Sequence, residues 1–436
     1  MFNFKLSKTM WDVQWSFISL VTASLSHFLL RIVLGRELGS SGLGVYTLVF
    51  TIYLFGMQFA AFGIGAALTK YVAEFSDDLA KTKEYISSGL IGSVVTGSAM
   101  GLILYLLSGT ISINVFKIPE MEGLLKITSL CFPFIALQKV ALGTLNGFRE
   151  MKTYALLDIT LNGLVLLISV FFVIILEMGA EGAVYGFVLP TILIGIVSLT
   201  FIRSYFVKYT GLLNNITKDI TLFGFYVVLS SSVGMLYHNV DSLMLGYFMD
   251  ETNVGYYSIA VIFIQGLTLV PNSIQKITTP TIASYYGKKE YNKIVELMKN
   301  ILLKAYILTF LFSICLALAG KQLIIFLFTA EFLPAYIPLL ILLIGYSINA
   351  PIGSIGGVLG GIGKVNISFR IALVSSLINI VANFLLIPKY GLIGASAATS
   401  FSFIISTLVY YIVLKKIFQN LVSSSNSSEN FSTRKR

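Results

Sequence analysis

The 436-residue chain is 56% hydrophobic and only 11% charged, and it carries a formal net charge of +10. So apolar a composition excludes a water-soluble globule and points to an integral membrane protein. The positive charge does not point to nucleic acid. With the N-terminus placed in the cytoplasm, lysines and arginines gather on the cytoplasmic loops, among them Lys288, Lys289 and Lys293 and, after the last span, Lys415 and Lys416, which is the positive-inside pattern. The same residues can touch anionic headgroups.

Apolar runs recur along the whole chain, each near the roughly 20 residues that cross a bilayer as a helix. They predict twelve spans, at 11–34, 43–68, 84–109, 121–146, 153–177, 181–203, 220–248, 254–281, 296–319, 332–360, 367–388 and 391–415. Backbone groups in hydrocarbon need internal partners, so these runs are expected to be helices, and no period-two alternation suggests a barrel. The first run is too long for the apolar core of a signal peptide and is expected to stay in the mature protein. Cys131 and Cys315 both fall inside spans, so neither a disulfide framework nor a metal knuckle is expected.

In such a chain the informative residues are the polar ones that the bilayer should exclude. A charge near the centre of a span costs roughly 2.5–3.5 kcal/mol on insertion scales, so each one needs a reason. Span one carries Ser24, His27 and Arg31 on one helical face, by their spacing of three and four. Asp77 and Asp78, the adjacent carboxylates in the next cytoplasmic loop, lie among Lys70, Glu74, Lys81 and Lys83 and read as a solvated charge run. Lys139 in span four and Lys276 in span eight lie near cytoplasmic ends. They either snorkel to the interface or face inward, where they would attract a phosphate or diphosphate group. Asp158 favours the N-terminus of span five. Asn162, Gln138, Gln265, Gln275, Asn379 and Asn383 supply amides that either join helices or bind sugars. Span seven carries Ser231, Gly234, His238 and Asp241 on a stripe like that of span one. Pro133, Pro271, Pro280 and Pro351 interrupt their spans, the last within the glycine-dense NAPIGSIGGVLGGIG; such breaks serve tight packing or bending. There is no Walker loop, zinc spacing or Gly-x-Ser-x-Gly elbow, so no enzyme chemistry is expected.

The chain also repeats itself. A shift of 211 places His27 on His238, Gly35 on Gly246, Gly44 on Gly255 and Tyr46 on Tyr257, and a shift of 212 aligns EMGAEGA, from Glu177, with PKYGLIGA, from Pro388. A duplicated unit follows, with an N-terminal lobe at 1–210 and a C-terminal lobe at 211–419, six spans each, and a tail at 420–436 that is Ser/Asn-rich and expected to be a disordered cytoplasmic segment. Because six is even, the repeats are parallel. The joining segment, 203–219, reads as a hinge. Arg31 and Asp241 land one position apart under the shift; either they form a contact that is made in one state and broken in another, or Arg31 snorkels to the outer interface and Asp241 has no such role. The two histidines titrate near neutral pH and are candidates for coupling a proton to transport. The other readings are a hydrogen bond to a substrate sugar or an interhelical bond within one half.

RIVLGRELGSSGLGVYTL (from Arg31), FGIGAALTKYVAEF (from Phe62), LNGFREMKTYALLDI (from Leu145), DSLMLGYFMDETNVGYYSIA (from Asp241) and LLIPKYGLIGASAATSFSF (from Leu385) resemble, in this order, the helix ends of Wzx-type polysaccharide flippases of the multidrug/oligosaccharidyl-lipid/polysaccharide superfamily. The resemblance implies an all-α, MATE-like membrane fold of twelve helices in two six-helix bundles. It implies export of an oligosaccharide linked to a polyprenyl phosphate or diphosphate across the cytoplasmic membrane by alternating access, coupled to H+ or Na+ and needing no cofactor. The expected partners are the substrate, membrane lipids and glycan-assembly enzymes, with the monomer as the working unit. The residues that match the pattern are Arg31, Gly35, Gly44, Tyr46, Asp241, Gly246, Gly255 and Tyr257. The related lipid II flippases carry an Arg-Asp pair in helix one, where this chain has Ser26 and His27, which puts a peptidoglycan role in doubt. The expected cavity residues are His27, Arg31, Lys139, Asp158, Asn162, His238, Asp241, Lys276 and Asn383. A MATE-like drug or cation antiporter would require an acidic cavity, and a membrane glycosyltransferase or polymerase would require carboxylates on a substantial outer loop.

Overall fold

The apolar runs become helix. The computed structural model of the protein describes residues 8–207 and 215–433, and no strand occurs among them. In chain order the helices are α1 (Lys8–Ala61), α2 (Ile64–Glu74), α3 (Leu79–Gly109), α4 (Met121–Ser129), α5 (Phe132–Gly147), α6 (Met151–Val170), α7 (Gly179–Ile202), α8 (Asn215–Phe248), α9 (Glu251–Gly287), α10 (Tyr291–Leu327), α11 (Tyr336–Gly353), α12 (Val358–Gly361) and α13 (Val365–Thr433). Among the described residues nine helical stretches are long and apolar enough to cross a membrane, or ten if α4 and α5 form one bent span. That bend is 42° and lies at the start of α5, where Pro133 sits in the first turn.

Two of the long stretches are broken at a glycine. Gly39 in α1 has φ 66 and ψ −171, and Gly391 in α13 has φ 54 and ψ −128. Both conformations are in effect closed to a residue with a Cβ, so the sequence turns the chain at these points by omitting one. The breaks fall where the first predicted span gives way to the second and the eleventh to the twelfth. The prolines act unevenly. α9 continues through Pro271 and Pro280, whereas α11 ends two residues after Pro351. α13 is helical to Thr433, through the tail for which the sequence predicts no structure; adding a residue to a formed helix costs far less than starting one.

The chain forms two compact units. One holds the described residues up to Met235 together with Asp250–Gly255; the other holds Leu236–Met249 and the described residues from Tyr256 onward. The division between these units lies within α8. Residues 208–214 of the expected hinge lie outside the described residues, but both flanks are tied to the first unit. The Val207 amide donates to Ser87 Oγ at 3.1 Å, Tyr85 Oη donates to Asp219 Oδ2 at 3.2 Å, and the Ser88 and Thr217 hydroxyls pair at 3.1 Å. Tyr205 stacks on Phe148, with ring centroids 4.8 Å apart.

In the first unit α1 packs on α6, α2 and α3 pack on α5, and α7 packs on both α5 and α6. Ile64, Leu68, Val140, Ile194 and Ile202 form one core. An aromatic column of Tyr46, Phe50, Tyr53, Phe132 and Phe187 forms another, with neighbouring centroids 5.0–6.2 Å apart. In the second unit α10 and α13 pack on α11, over a core that includes Ile282, Ile355, Leu359, Tyr410 and Leu414. Outward faces are strongly apolar, with Leu106 at 69% and Leu318 at 76% exposure, as lipid contact requires. Replacing Gly39 by alanine should destabilise the protein by about 1–3 kcal/mol, read as a lower midpoint of thermal unfolding in detergent; an unchanged midpoint would mean that the break is not held by the backbone.

Candidate functional site

Each unit holds a polar cluster, buried in the second and half-buried in the first, and the two have opposite character. In the second unit Asp241, on α8, is 3% exposed. Tyr257 Oη on α9 donates to its Oδ2 at 2.9 Å, Thr399 Oγ1 on α13 donates to the same oxygen at 2.7 Å, and Asn383 Nδ2 donates to Oδ1 at 2.5 Å. Asn379, one turn before Asn383, accepts from Asn383 Nδ2 at 3.2 Å and donates to Thr399 Oγ1 at 3.4 Å. Asn383 precedes the Gly391 break and Thr399 follows it, so the break lets both parts of α13 serve one carboxylate. Every donor is neutral, and no ion pair among the described residues includes Asp241. A buried carboxylate held by hydrogen bonds alone keeps an uncompensated charge. The Asn383 Oδ1 atom is buried without a partner. Phe403 packs between Tyr237 and Tyr346, at centroid distances of 4.9 and 4.6 Å, and both tyrosines lie within electrostatic reach of Asp241. His238, also within that reach, is exposed and lies edge-on to Tyr237 at 5.2 Å.

In the first unit the cluster surrounds Asp158 on α6. Ser19 Oγ donates to its Oδ2 at 2.5 Å, and Asn162 Nδ2 donates to its carbonyl oxygen at 2.8 Å. His27 and Lys139 lie within electrostatic reach of Asp158. Arg31 donates through Nη1 to Thr47 Oγ1, and its guanidinium lies 5.5 Å from the centre of the Tyr46 ring, close enough for a cation–π contact. Arg31 and Thr47 lie on opposite sides of the Gly39 break. This cluster therefore holds Arg31, Lys139 and His27 around one carboxylate and leans cationic.

Eight of the nine expected site residues enter these two clusters; Lys276 is exposed on α9 and takes part in neither set of bonds. Within its own unit each of the two charged residues has partners: Asp241 accepts from Tyr257, Thr399 and Asn383, and Arg31 is held by Thr47 and Tyr46. The two histidines are not equivalent: His27 is half-buried, His238 exposed. Ser19, Thr47 and Thr399 escaped the sequence reading, because hydroxyl residues are common in membrane helices and carry no charge to mark them. No group of three His, Cys, Asp or Glu side chains that could hold a metal ion occurs among the described residues.

Nine or ten helical stretches long and apolar enough to cross a membrane, with a polar cluster in each unit, define a polytopic membrane protein. The family model of polysaccharide biosynthesis proteins matches residues 11–286, and that of MatE proteins matches residues 227–385. The chain is 25% identical over 419 residues to the capsular polysaccharide biosynthesis protein CapF of Staphylococcus aureus, covering 93% of this chain and 99% of CapF. It is 24% identical over 416 residues to the probable flippase AglR of Haloferax volcanii, covering 92% of this chain and 82% of AglR. Among solved structures it resembles the lipid II flippase MurJ in an inward closed conformation, with a TM-score of 0.76 at 20% identity, covering 94% of this chain and 90% of that one. The chain belongs to the polysaccharide biosynthesis protein family, the Wzx-type flippases of the multidrug/oligosaccharidyl-lipid/polysaccharide superfamily. It is a transporter and not an enzyme.

Thr399→Val removes one donor to Asp241 at nearly constant shape. It should cost about 1.5–3 kcal/mol, the range for a hydrogen bond to a charged group, and much less in an Asp241→Asn background. Thermal unfolding of the four proteins in detergent reads the difference, and equal costs in both backgrounds would contradict the bond.

Proposed function

We propose that the protein exports an oligosaccharide linked to a polyprenyl phosphate or diphosphate across the cytoplasmic membrane by alternating access, coupled to H+ or Na+ at Asp241. The observation that carries this reading is a buried carboxylate without a cationic partner, in a chain of a family named for polysaccharide biosynthesis. An uncompensated charge at membrane depth is expensive, and a proton or a sodium ion entering the cluster neutralises it. The side-chain oxygens of Asp241, Tyr257, Thr399 and Asn383 are the hard ligands that sodium favours, and the carboxylate alone suffices for a proton. In the first unit Arg31 and Lys139 supply positive charge for a phosphate, and Asn162 supplies an amide for sugar hydroxyls.

Several observations support the finer architecture. Dividing α1 at Gly39 and α13 at Gly391 turns the ten stretches into twelve spans. The 212 shift places Gly179, with φ 59, on Gly391, with φ 54, as a duplicated backbone would. The bias of basic loops puts both termini in the cytoplasm. Each unit builds its polar cluster from its own residues, in keeping with a working monomer that glycan-assembly enzymes supply with substrate. One observation favours a second reading: Asp241 with Tyr237, Tyr346 and Phe403 nearby is also the chemistry that would hold an organic cation, as a drug antiporter requires.

Depleting the protein in its own cells should trap lipid-linked glycan on the cytoplasmic leaflet. Wild-type protein should clear it, and Asp241→Asn should clear it at least about tenfold more slowly, a change of roughly 1.4 kcal/mol in the rate-limiting barrier, without responding to a sodium or proton gradient. Normal glycan export in depleted cells together with increased sensitivity to cationic drugs would overturn the flippase reading in favour of the antiporter.

A further inference from the structure

The two turns of the second unit that lead into α10 and α13 share one backbone form. In the first, the Glu290 amide donates to the Tyr285 carbonyl at 3.0 Å and the Lys289 amide to that of Tyr286 at 3.0 Å. In the second, the Lys364 amide donates to the Leu359 carbonyl at 2.7 Å and the Gly363 amide to that of Gly360 at 3.0 Å. This pair of bonds closes a helix and calls for a left-handed residue just past its end. Gly363, with φ 75, meets the need freely, whereas the other turn holds Lys289 there, with φ 61, at a cost in backbone strain.

Both turns close on the core of the second unit. Tyr286 and Tyr291 pack on it from the α9–α10 turn, Ile362 and Ile371 from around the α12–α13 turn, and Leu414 and Ile417 from later in α13. These segments bring Lys288, Lys289, Lys364, Arg370, Lys415 and Lys416 around that core. All six are exposed, and no ion pair among the described residues includes any of them. The carboxylates of the same segments are Glu296 and Glu290, and Glu290 is paired with Lys293 at 2.9 Å. Sorting of basic loops to one side of a membrane counts cations and tolerates acids among them. The first unit shows that tolerance: around its α2–α3 turn Lys70, Lys81 and Lys83 are mixed with Glu74, Asp77, Asp78 and Glu84.

The bare cations also border an apolar surface. Leu408, Ile412 and Lys416 recur at the spacing of one turn on α13 and share a face, and the two apolar side chains are 54% and 61% exposed. Val365, next to Lys364, is 59% exposed. An ammonium group at the edge of such a surface stands where a bilayer places its phosphates. A free inorganic anion calls for an enclosed cradle, which exposed lysines do not form, and a partner bound from the water would leave the apolar border unused.

We propose that this part of the second unit is a binding site for an anionic membrane phospholipid, with its phosphodiester among the six cations and its acyl chains along the exposed face of α13. One headgroup joins the two turns to α13 and takes up charge that no carboxylate of these segments balances. The site depends on the chain's place in a membrane and not on the transport reading; with the N-terminus in the cytoplasm, the leaflet is the cytoplasmic one.

Native mass spectrometry of the full chain in a neutral detergent tests it. Phosphatidylglycerol should bind with a dissociation constant at least about tenfold below that of phosphatidylcholine. Lys288→Gln/Lys289→Gln and Lys415→Gln/Lys416→Gln should each lower this preference at least about fivefold, the weight of one lysine at an anionic surface, because the two pairs reach one headgroup from different segments. Removing four charges from the first unit, as Lys70→Gln/Lys83→Gln/Lys152→Gln/Lys218→Gln, should leave the preference unchanged. Equal binding of the two lipids would overturn the site. So would an equal loss in the first-unit variant, the mark of diffuse attraction by net charge, or a loss from only one of the two pairs. Inorganic phosphate that displaces phosphatidylglycerol at equal concentration would overturn the lipid in favour of a free anion. A polyprenyl diphosphate that displaces it at equal concentration would give the patch to the transported substrate instead. The thermal midpoint of each variant without lipid shows that it is folded, and should one double variant unfold, the single substitutions Lys289→Gln and Lys416→Gln replace the pairs.

Discussion

Hydrocarbon offers no hydrogen-bond partner, and Asp241 is the group on which this constraint falls most heavily. Its two oxygens are satisfied by Tyr257, Thr399 and Asn383, which come from α9 and from both parts of α13. Three features of the second unit follow from that need. α13 turns at Gly391 so that residues before and after the break reach the same carboxylate. Asn379 and Asn383 sit one helical turn apart, so that one amide braces the other. Tyr257 is 2% exposed, and its hydroxyl has a partner where an unpaired one would cost about 1–3 kcal/mol. The donors to the carboxylate are all neutral.

The first unit solves a similar problem with the opposite sign. Arg31 lies on a helix before a glycine break, and its partners Tyr46 and Thr47 lie after it. Tyr46 and Tyr257 are matched by the proposed repeat, as are the positions of Arg31 and Asp241 to within one residue. On the proposed duplication, one copy carries a cation where the other carries a carboxylate. Asp158 offsets part of the positive charge in the first unit, and Ser19 and Asn162 fix it in place. The division of labour proposed for the transporter, phosphate to the first unit and coupling ion to the second, follows from this difference in polarity. Fold similarity alone would not assign it.

Much of this was legible in the sequence because a bilayer leaves few options. The predicted span 84–109 lies within α3, 220–248 ends with α8, and Pro133 marks the α4–α5 bend. The candidate residues were chosen because a charge or amide at membrane depth stands out against its surroundings. The partners were harder to read. Thr399 sits in a run of small and hydroxyl residues with nothing to distinguish it from Ser400 or Ser402, and Ser19 lies 139 residues from Asp158. Matched depth marked Arg31 and Asp241 as notable, but depth does not give side-chain direction, so the partners each has within its own unit, Thr47 for Arg31 and Asn383 for Asp241, were not read. The ties of the joining segment were hidden for a similar reason. The polar joining segment looks like a free linker, while Tyr85 and Ser88, which tie its far flank to α3, lie in a helix whose apolar pattern hides them.

The central claim, that this chain moves a lipid-linked oligosaccharide between leaflets at the expense of an ion gradient held at Asp241, is tested most directly with purified protein in sealed vesicles. A polyprenyl-diphosphate oligosaccharide is placed in the inner leaflet, and its arrival in the outer leaflet is followed with an impermeant lectin under an imposed sodium or proton gradient. The account predicts transfer that depends on one of the two gradients and loses that dependence in Asp241→Asn protein. Transfer no faster than in protein-free vesicles, or transfer equally fast with and without both gradients, would contradict it.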